Sequence, residues 1–410
     1  MMRRTTAILL VSGLFAGLAQ AQSAFDLARL ERLTLESSRV VQAARDRIVA
    51  AGHAVEAAAA FPNPELEYLN GTVRPRGAGG APGDASSVAL TQPLDMPWRR
   101  QTRIETAKAG LEVARAEVRS FEAETLANVR QRYFDVLRRD AELKNALEDK
   151  ALMESVRARI ALRVETGDAP RFELIKSDAE ALNAAKSAQA AVFRLDQARS
   201  QLRRAVGVDL PQEFTLTGRL SEVPPLTPLP GLKQVVGQTS PELARARAEM
   251  VRAERQLEAE RALRWPDLAL KATANTDPDM RSSKVGLVVS IPLWDRRRGP
   301  VGVAAAELSR ARHTLEAQTF SIDQQLTVAY QQYEIAETQV TALESGIVKQ
   351  AEAALKVAEA AYRFGERGFL EVLDAQRVYR AARAELIAAR HELASAWVEV
   401  ERLRAAPGGN

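Results

Sequence analysis

A chain of 410 residues is long enough to bury two ordinary cores, yet its 57 Lys and Arg nearly balance 53 Asp and Glu, leaving a net charge of +4. With no basic stripe interleaved with stacking aromatics, that small excess argues against nucleic acid as a partner. The absence of cysteine excludes thiolate metal sites, disulfides and a lipid-anchoring cysteine at a mature N-terminus. Abundant Ala, scarce aromatics and interspersed charges suit long packed helices better than globular domains.

In chain order, residues 1–21 read as a cleaved secretory signal. Arg3 and Arg4 give the positive start, Ala7 to Leu18 the apolar run, and Ala19-Gln20-Ala21 the small-x-small site. The run is short for a membrane span and no other long one follows, so an exported chain without a transmembrane helix is expected. Residues 25–60 form one helix, stopped by Pro62 and Pro64. Residues 65–73 alternate as a strand, with Leu66 and Tyr68 on one face and Glu65 and Glu67 on the other. A Gly/Pro-rich loop at 74–83 precedes a second strand at 86–92, with Val88 and Leu90 opposite Ser87, Ala89 and Thr91. From about Trp98 to Thr166 the pattern is helical without proline. Ile104, Ala107, Leu111, Ala114, Val118 and Phe121 give it a coiled-coil seam, and its length is about 100 Å at 1.5 Å per residue. The return helix at 172–206 is shorter, so the helix at 25–60 can continue its line.

Residues 208–231, with Pro211, Pro224, Pro225, Pro228 and Pro230, read as a linker. The plan then repeats: a helix at 232–264, a strand at 267–275 and a strand at 284–291. A long helix to Phe364 follows, then a last helix with Tyr379, Ala382, Leu386, Ala389, Leu393, Ala396, Val400 and Leu403 along its seam. The tail at 406–410 reads as disordered. Two glycine turns lie 198 residues apart, Gly167 matching Gly365 and Glu173 matching Glu371, and Gln92-Pro93-Leu94 answers to Ile291-Pro292-Leu293. Two tandem units, 22–207 and 232–405, are therefore expected, each running helix, strand, strand, long helix, turn, helix.

Four strands of about nine residues with period-two alternation have the length and pattern of outer-membrane barrel strands. Phe61, Trp98, Trp265 and Trp294 all fall at the helix-side ends of the hairpins, where an aromatic girdle meets the lipid interface. Arg99, Arg100, Arg296, Arg297 and Arg298 lie just beyond. Four strands cannot close a barrel and open edges are not tolerated in hydrocarbon, so several copies are expected to share one.

These features resemble the outer-membrane efflux protein (TolC) family over nearly the whole mature length. The resemblance is carried by the duplicated plan, the strand-ending Pro-Leu pairs and the tip run Gly365-Glu366-Arg367 followed by Val372-Leu373-Asp374-Ala375. It implies a mainly α fold with a small β part, in which long coiled-coil helices make a periplasmic α-barrel. It also implies a homotrimer with a shared twelve-stranded outer-membrane β-barrel, docked on a periplasmic adaptor and an inner-membrane pump, an RND type being favoured. The run Glu371-Val372-Leu373-Asp374-Ala375-Gln376-Arg377, with Gln92-Pro93-Leu94 before a basic turn, is most similar to the heavy-metal (cobalt–zinc–cadmium) branch.

By the same resemblance Tyr362 and Arg367 hold a periplasmic gate, with Glu173 where the family has Asp. Phe172 replaces a hydrogen-bonding Thr, which leaves Arg367 free to pair with Glu173 instead. Glu371 and Asp374, three apart on a helix, share a face and in a trimer would make two stacked acidic rings. Gly167 and Gly365 serve the turns and, by resemblance, adaptor docking.

No catalytic constellation or cofactor motif is legible. His53, His313 and His391 read as helix-surface residues without a carboxylate or second His at ligand spacing, and Gly77-Ala78-Gly79-Gly80 lacks the Lys-Ser/Thr of a phosphate cradle. Metal ions as cargo would be conducted, not coordinated. An exit duct for type I secretion or drug efflux, and a periplasmic coiled-coil scaffold, remain the alternatives.

Overall fold

In a computed structural model, the structure describes residues 24–77 and 80–405. The expected signal and tail lie outside them, as does part of the loop at 74–83. The long helix is present as α3 (Pro97–Glu165), 69 residues. Pro97 occupies its first turn, where a missing amide costs nothing and the fixed φ suits the helix. Half of α3 packs on its return partner α4 (Arg171–Val206), and the other half on α2 (Arg39–Ala59) and α6 (Pro241–Ala262). The shorter α2 and α4 thus lie along successive parts of the one long helix, as the lengths imply.

Three expected elements divide further. The helix at 25–60 is α1 (Leu27–Ser37) and α2, separated at Ser38, whose extended backbone breaks the run. The helix at 232–264 is α5 (Leu229–Thr239) and α6, separated at Ser240 by Pro241, which lacks the amide a continuing helix needs. The helix ending at Phe364 is α7 (Arg298–Ala342) and α8 (Val348–Arg363), joined by a π turn at Leu343–Ile347. The last helix, α9 (Phe369–Arg404), is continuous, and Ala382, Ala389, Ala396, Val400 and Leu403 of its seam are buried.

The linker is not free. Within it β4 (Thr215–Leu216) pairs in parallel with β1 (Ala24–Phe25), and Leu210, Phe214 and Leu220 join the main core. There Val129, Tyr133, Phe134 and Leu137 of α3 meet Leu195, Leu202 and Val206 of α4 and Ala394 and Val398 of α9. The N- and C-terminal halves of the chain are fused at this level.

The strands form one antiparallel sheet in the order β2 (Glu65–Val73), β3 (Gly83–Leu94), β5 (Asp267–Thr276), β6 (Arg281–Ser290). Both hairpins are longer than the alternation shows, because β3 continues through Pro93 and β6 begins three residues earlier, at Arg281. The β3–β5 pairing runs from Ser86↔Thr276 to Leu94↔Leu268 and joins the two hairpins. Residues opposite one another share a face. The register Leu66↔Leu90↔Ala272↔Val285 and Tyr68↔Val88↔Ala274 therefore lines most of the large apolar positions of the four strands on one side, while Leu69, Val73 and Val288 fall on the other. Leu66, Tyr68, Val88, Leu90, Leu270, Val285, Leu287 and Val289 are all exposed there. The other side carries Glu67, Ser87, Lys271, Thr273, Asn275 and Lys284, with a 2.7 Å hydrogen bond from Ser87 Oγ to Asn275 Oδ1. Among the described residues, the outer edges of β2 and β6 have no strand partner.

Candidate gate and membrane junction

At the far end of the helices, α3 and α8 each terminate in a glycine with left-handed backbone, φ 84° at Gly167 and 76° at Gly365. The closures match: Asp168 N–H donates to the Arg163 carbonyl at 2.7 Å, and Glu366 N–H to the Ala361 carbonyl at 2.9 Å. These are the six-to-one bonds of a Schellman cap. A Cβ at either glycine would meet no neighbouring atom within 4 Å, so the cost of Ala is backbone strain alone. Gly365→Ala is expected to cost about 1–2 kcal/mol, read as a lower denaturation midpoint of the purified protein.

Tyr362 bridges the halves. Its hydroxyl reaches Glu173 Oε2 on α4 at 3.4 Å, its ring packs 5.9 Å from Phe369, and the Arg163 guanidinium lies 4.9 Å over it. Beneath them Met153, Val156, Ile160, Leu373 and Phe369 make a local core. Burial and the neighbouring Glu173 carboxylate both push the Tyr362 hydroxyl pKa up, so it stays a donor. Arg367 does not take Glu173: its guanidinium is bonded to Glu371, one helical turn on, and both are exposed. The i,i+4 spacing is the shorter reach for that side chain, which corrects the expected Arg367–Glu173 pair. Phe172 is exposed. Asp374 is exposed on the same side of α9 as Glu371 and has no ion partner among the described residues.

A row of contacts above the tip is not legible in the sequence. Along one side of α9, Arg377 pairs with Glu180 at 2.8 Å, Arg380 with Asp149 at 3.0 Å and Arg383 with Glu148 at 2.6 Å. Further up, His391 Nε2 lies 2.8 Å from Asp135 Oδ1. Basic groups on α9 thus face acids on α3 and α4. The arginine spacing of three is visible in the sequence, but the partners lie about two hundred residues away.

His391 is consequently a half-buried bridging residue, not one on the helix surface. Burial pushes the Asp135 carboxyl up, but its hydrogen bond to His391 and the charges of His391 and Arg132 outweigh this and hold it below the usual range. Its contribution to stability is therefore present above about pH 4 and lost as pH falls through the folded value. At Asp149 burial prevails over Arg380 and Arg383, and the carboxyl is raised. The other two histidines are exposed on helices, each beside a carboxylate one turn on: His53 at 3.0 Å from Glu56 and His313 at 3.6 Å from Glu316. No group of three or more potential metal ligands occurs among the described residues.

At the opposite end the four aromatics sit where the strands meet the helices. Phe61, Trp98 and Trp265 are exposed, and Trp294 is 93% exposed. Arg100 stacks 4.7 Å over Phe61, and Arg99 ties Asp267 at 2.8 Å.

Comparison with known proteins accords with this geometry. The family described as outer membrane efflux protein matches residues 16–208 and again 232–408. The chain is 25% identical over 345 residues to the cobalt-zinc-cadmium resistance protein CzcC of Cupriavidus metallidurans, covering 84% of this chain and 81% of that one. It is 26% identical over 289 residues to the nickel-cobalt-cadmium resistance protein NccC of Alcaligenes xylosoxydans xylosoxydans, covering 70% and 64%. Its fold matches the solved structure of CusC with a TM-score of 0.77 at 18% identity, over 92% of this chain and 91% of that one. The chain belongs to the outer membrane efflux protein family.

Proposed function

We propose that three copies of this chain form an outer-membrane exit duct that passes heavy-metal cations from an inner-membrane pump and its periplasmic adaptor to the exterior. The observation that carries this reading is the sheet. One face is exposed and apolar across all four strands, the other is mostly polar, and among the described residues both edges are open. Such a sheet is stable in hydrocarbon only when its edges are paired, and three copies supply twelve strands. The long helices then extend into the periplasm as an α-barrel. In this reading the leader at 1–21 is removed, residues 22–207 and 232–405 are two tandem units, and 208–231 is a linker packed at the equator. The pump is of RND type, the Gly167 and Gly365 turns meet the adaptor, and Tyr362 with Glu173 holds the tip shut. The names of the two curated relatives support cobalt, zinc or cadmium as cargo.

Three copies of Glu371 and Asp374 would set two acidic rings at the narrow end, where low-dielectric walls focus the field and select ions by sign. Arg367 offsets part of the Glu371 charge, so Asp374 carries the larger share. A bilayer holding the purified protein in a salt gradient should show a cation-selective reversal potential, and Asp374→Asn should reduce it more than Glu371→Gln. Equal selectivity in both variants and wild type would leave the rings without a role.

The reading as a whole is tested in cells lacking the chain and cells carrying it. The protein should fractionate with the outer membrane, and its loss should raise cellular cobalt, zinc or cadmium. Release on osmotic shock would instead make it a periplasmic scaffold. Outer-membrane residence with unchanged metal content would favour drug or polypeptide export.

A further inference from the structure

The arginines at the helix-side end of the sheet fall into two classes. Arg99 bonds Asp267 and, at 2.5 Å, the Trp265 carbonyl. Arg100 donates to the Ala59 carbonyl at 2.7 Å, Arg103 pairs with Asp95 at 2.7 Å, and Arg297 pairs with Glu260 at 2.6 Å. These four brace the hairpins against the helices. Arg264, Arg296 and Arg298 are exposed, and among the described residues their side chains make neither an ion pair nor a hydrogen bond. The Asp267↔Ser290 pairing and the Arg297–Glu260 bond bring them to one level with Trp265 and Trp294. The acids at that level are already engaged: Asp267 by Arg99, Glu260 by Arg297, and Asp295 by the Arg297 backbone N–H at 2.8 Å.

We propose that Arg264, Arg296 and Arg298, with Trp265 and Trp294, form a binding surface for the phosphate headgroups of anionic phospholipid. The inference rests on the membrane-spanning reading of the sheet. Tryptophan seats itself at headgroup depth, and the exposed Ile291 and Leu293 continue the apolar face of β6 up to it. A guanidinium without an internal acceptor at that depth meets phosphate oxygens, which its planar fork binds two at a time. Continuity with the apolar face assigns the phosphate to lipid and not to a free anion. The surface belongs to the C-terminal half alone, because the matching arginines of the N-terminal half are spent on internal contacts. Its occupation would fix the depth of the hinge between strands and helices.

The test is native mass spectrometry of the detergent-purified full chain titrated with phosphatidylglycerol or phosphatidylcholine. Wild type should retain phosphatidylglycerol preferentially, and retention should weaken with salt. Each Arg→Gln change at 264, 296 or 298 should lower that affinity about fivefold, equivalent to ~1 kcal/mol per basic residue. Arg219→Gln, in the linker, should leave it unchanged. Equal retention of both lipids, an unaltered preference in the triple variant, or displacement of the lipid by inorganic phosphate at equal concentration would overturn the proposal. Membrane fractionation of the same proteins separates the two readings. A wild-type chain absent from the membrane fraction contradicts the spanning sheet itself, whereas membrane residence without lipid preference contradicts only the headgroup surface.

Discussion

Replacing Arg130 with Met is expected to destabilise the chain by about 3–5 kcal/mol, the cost of stranding a buried charge. Arg130 Nε lies 2.6 Å from Glu31 Oε1, and the two side chains are only 5% and 10% exposed. The pair joins α1 to α3 beside the main core, and its guanidinium lies 5.8 Å over the Trp397 ring. The loss reaches further than Glu31. Glu401 is also buried, and burial raises its carboxyl against the pull of Arg404 and Arg130, so removing Arg130 takes away part of its compensation as well. Replacing both members, Glu31→Leu with Arg130→Met, should recover most of the loss, because paired apolar groups of similar volume are often no worse than a buried ion pair. Denaturant midpoints in one detergent decide the matter. A double variant as unstable as Arg130→Met alone would show that packing around Trp397, and not the stranded carboxylate, sets the cost.

The second large effect is expected at the tip. Tyr362→Phe with Glu173→Gln removes the hydroxyl–carboxylate bond between α8 and α4. Each such contact contributes about 1 kcal/mol, and in the proposed trimer three symmetric copies would give ~3 kcal/mol, or about a hundredfold in a closed-to-open equilibrium. Conductance in planar bilayers should rise accordingly. Arg367→Ser should do less, since within one chain its guanidinium is spent on Glu371 and an exposed pair of that kind contributes little. If Arg367→Ser opens the duct more than the Tyr362 variant, the lock lies between protomers and not between the two halves of one chain.

Much of this architecture is written in local patterns. Period-two alternation located all four strands, and the cross-strand register then placed Leu66, Val88, Ala272 and Val285 on one face, as their individual alternation implies. Freedom from proline marked α3, and the two glycine turns marked the tip ends of α3 and α8. The helix break at Ser240-Pro241 is missed by the single helix read at 232–264, although Pro241 is a start signal, whereas that at Ser38 carries no proline and depends on how α1 and α2 pack. The π turn at 343–347 likewise has no local signature. The charge pairs along α9 were beyond reach for a different reason. His391 and Asp135 are 256 positions apart, and nothing in either neighbourhood names the other until the chain folds back. Phe214 shows the same limit: it lies in a proline-rich stretch that reads as exposed linker, yet is 1% exposed in the main core.

The mass of the detergent-solubilised particle tests the central claim most directly, because four strands per chain require partners. Sedimentation equilibrium of the purified full-length protein, with bound detergent density-matched, should return three chains per particle. A stable monomer that keeps its strands folded, seen as unchanged β signal in circular dichroism, would contradict the shared barrel.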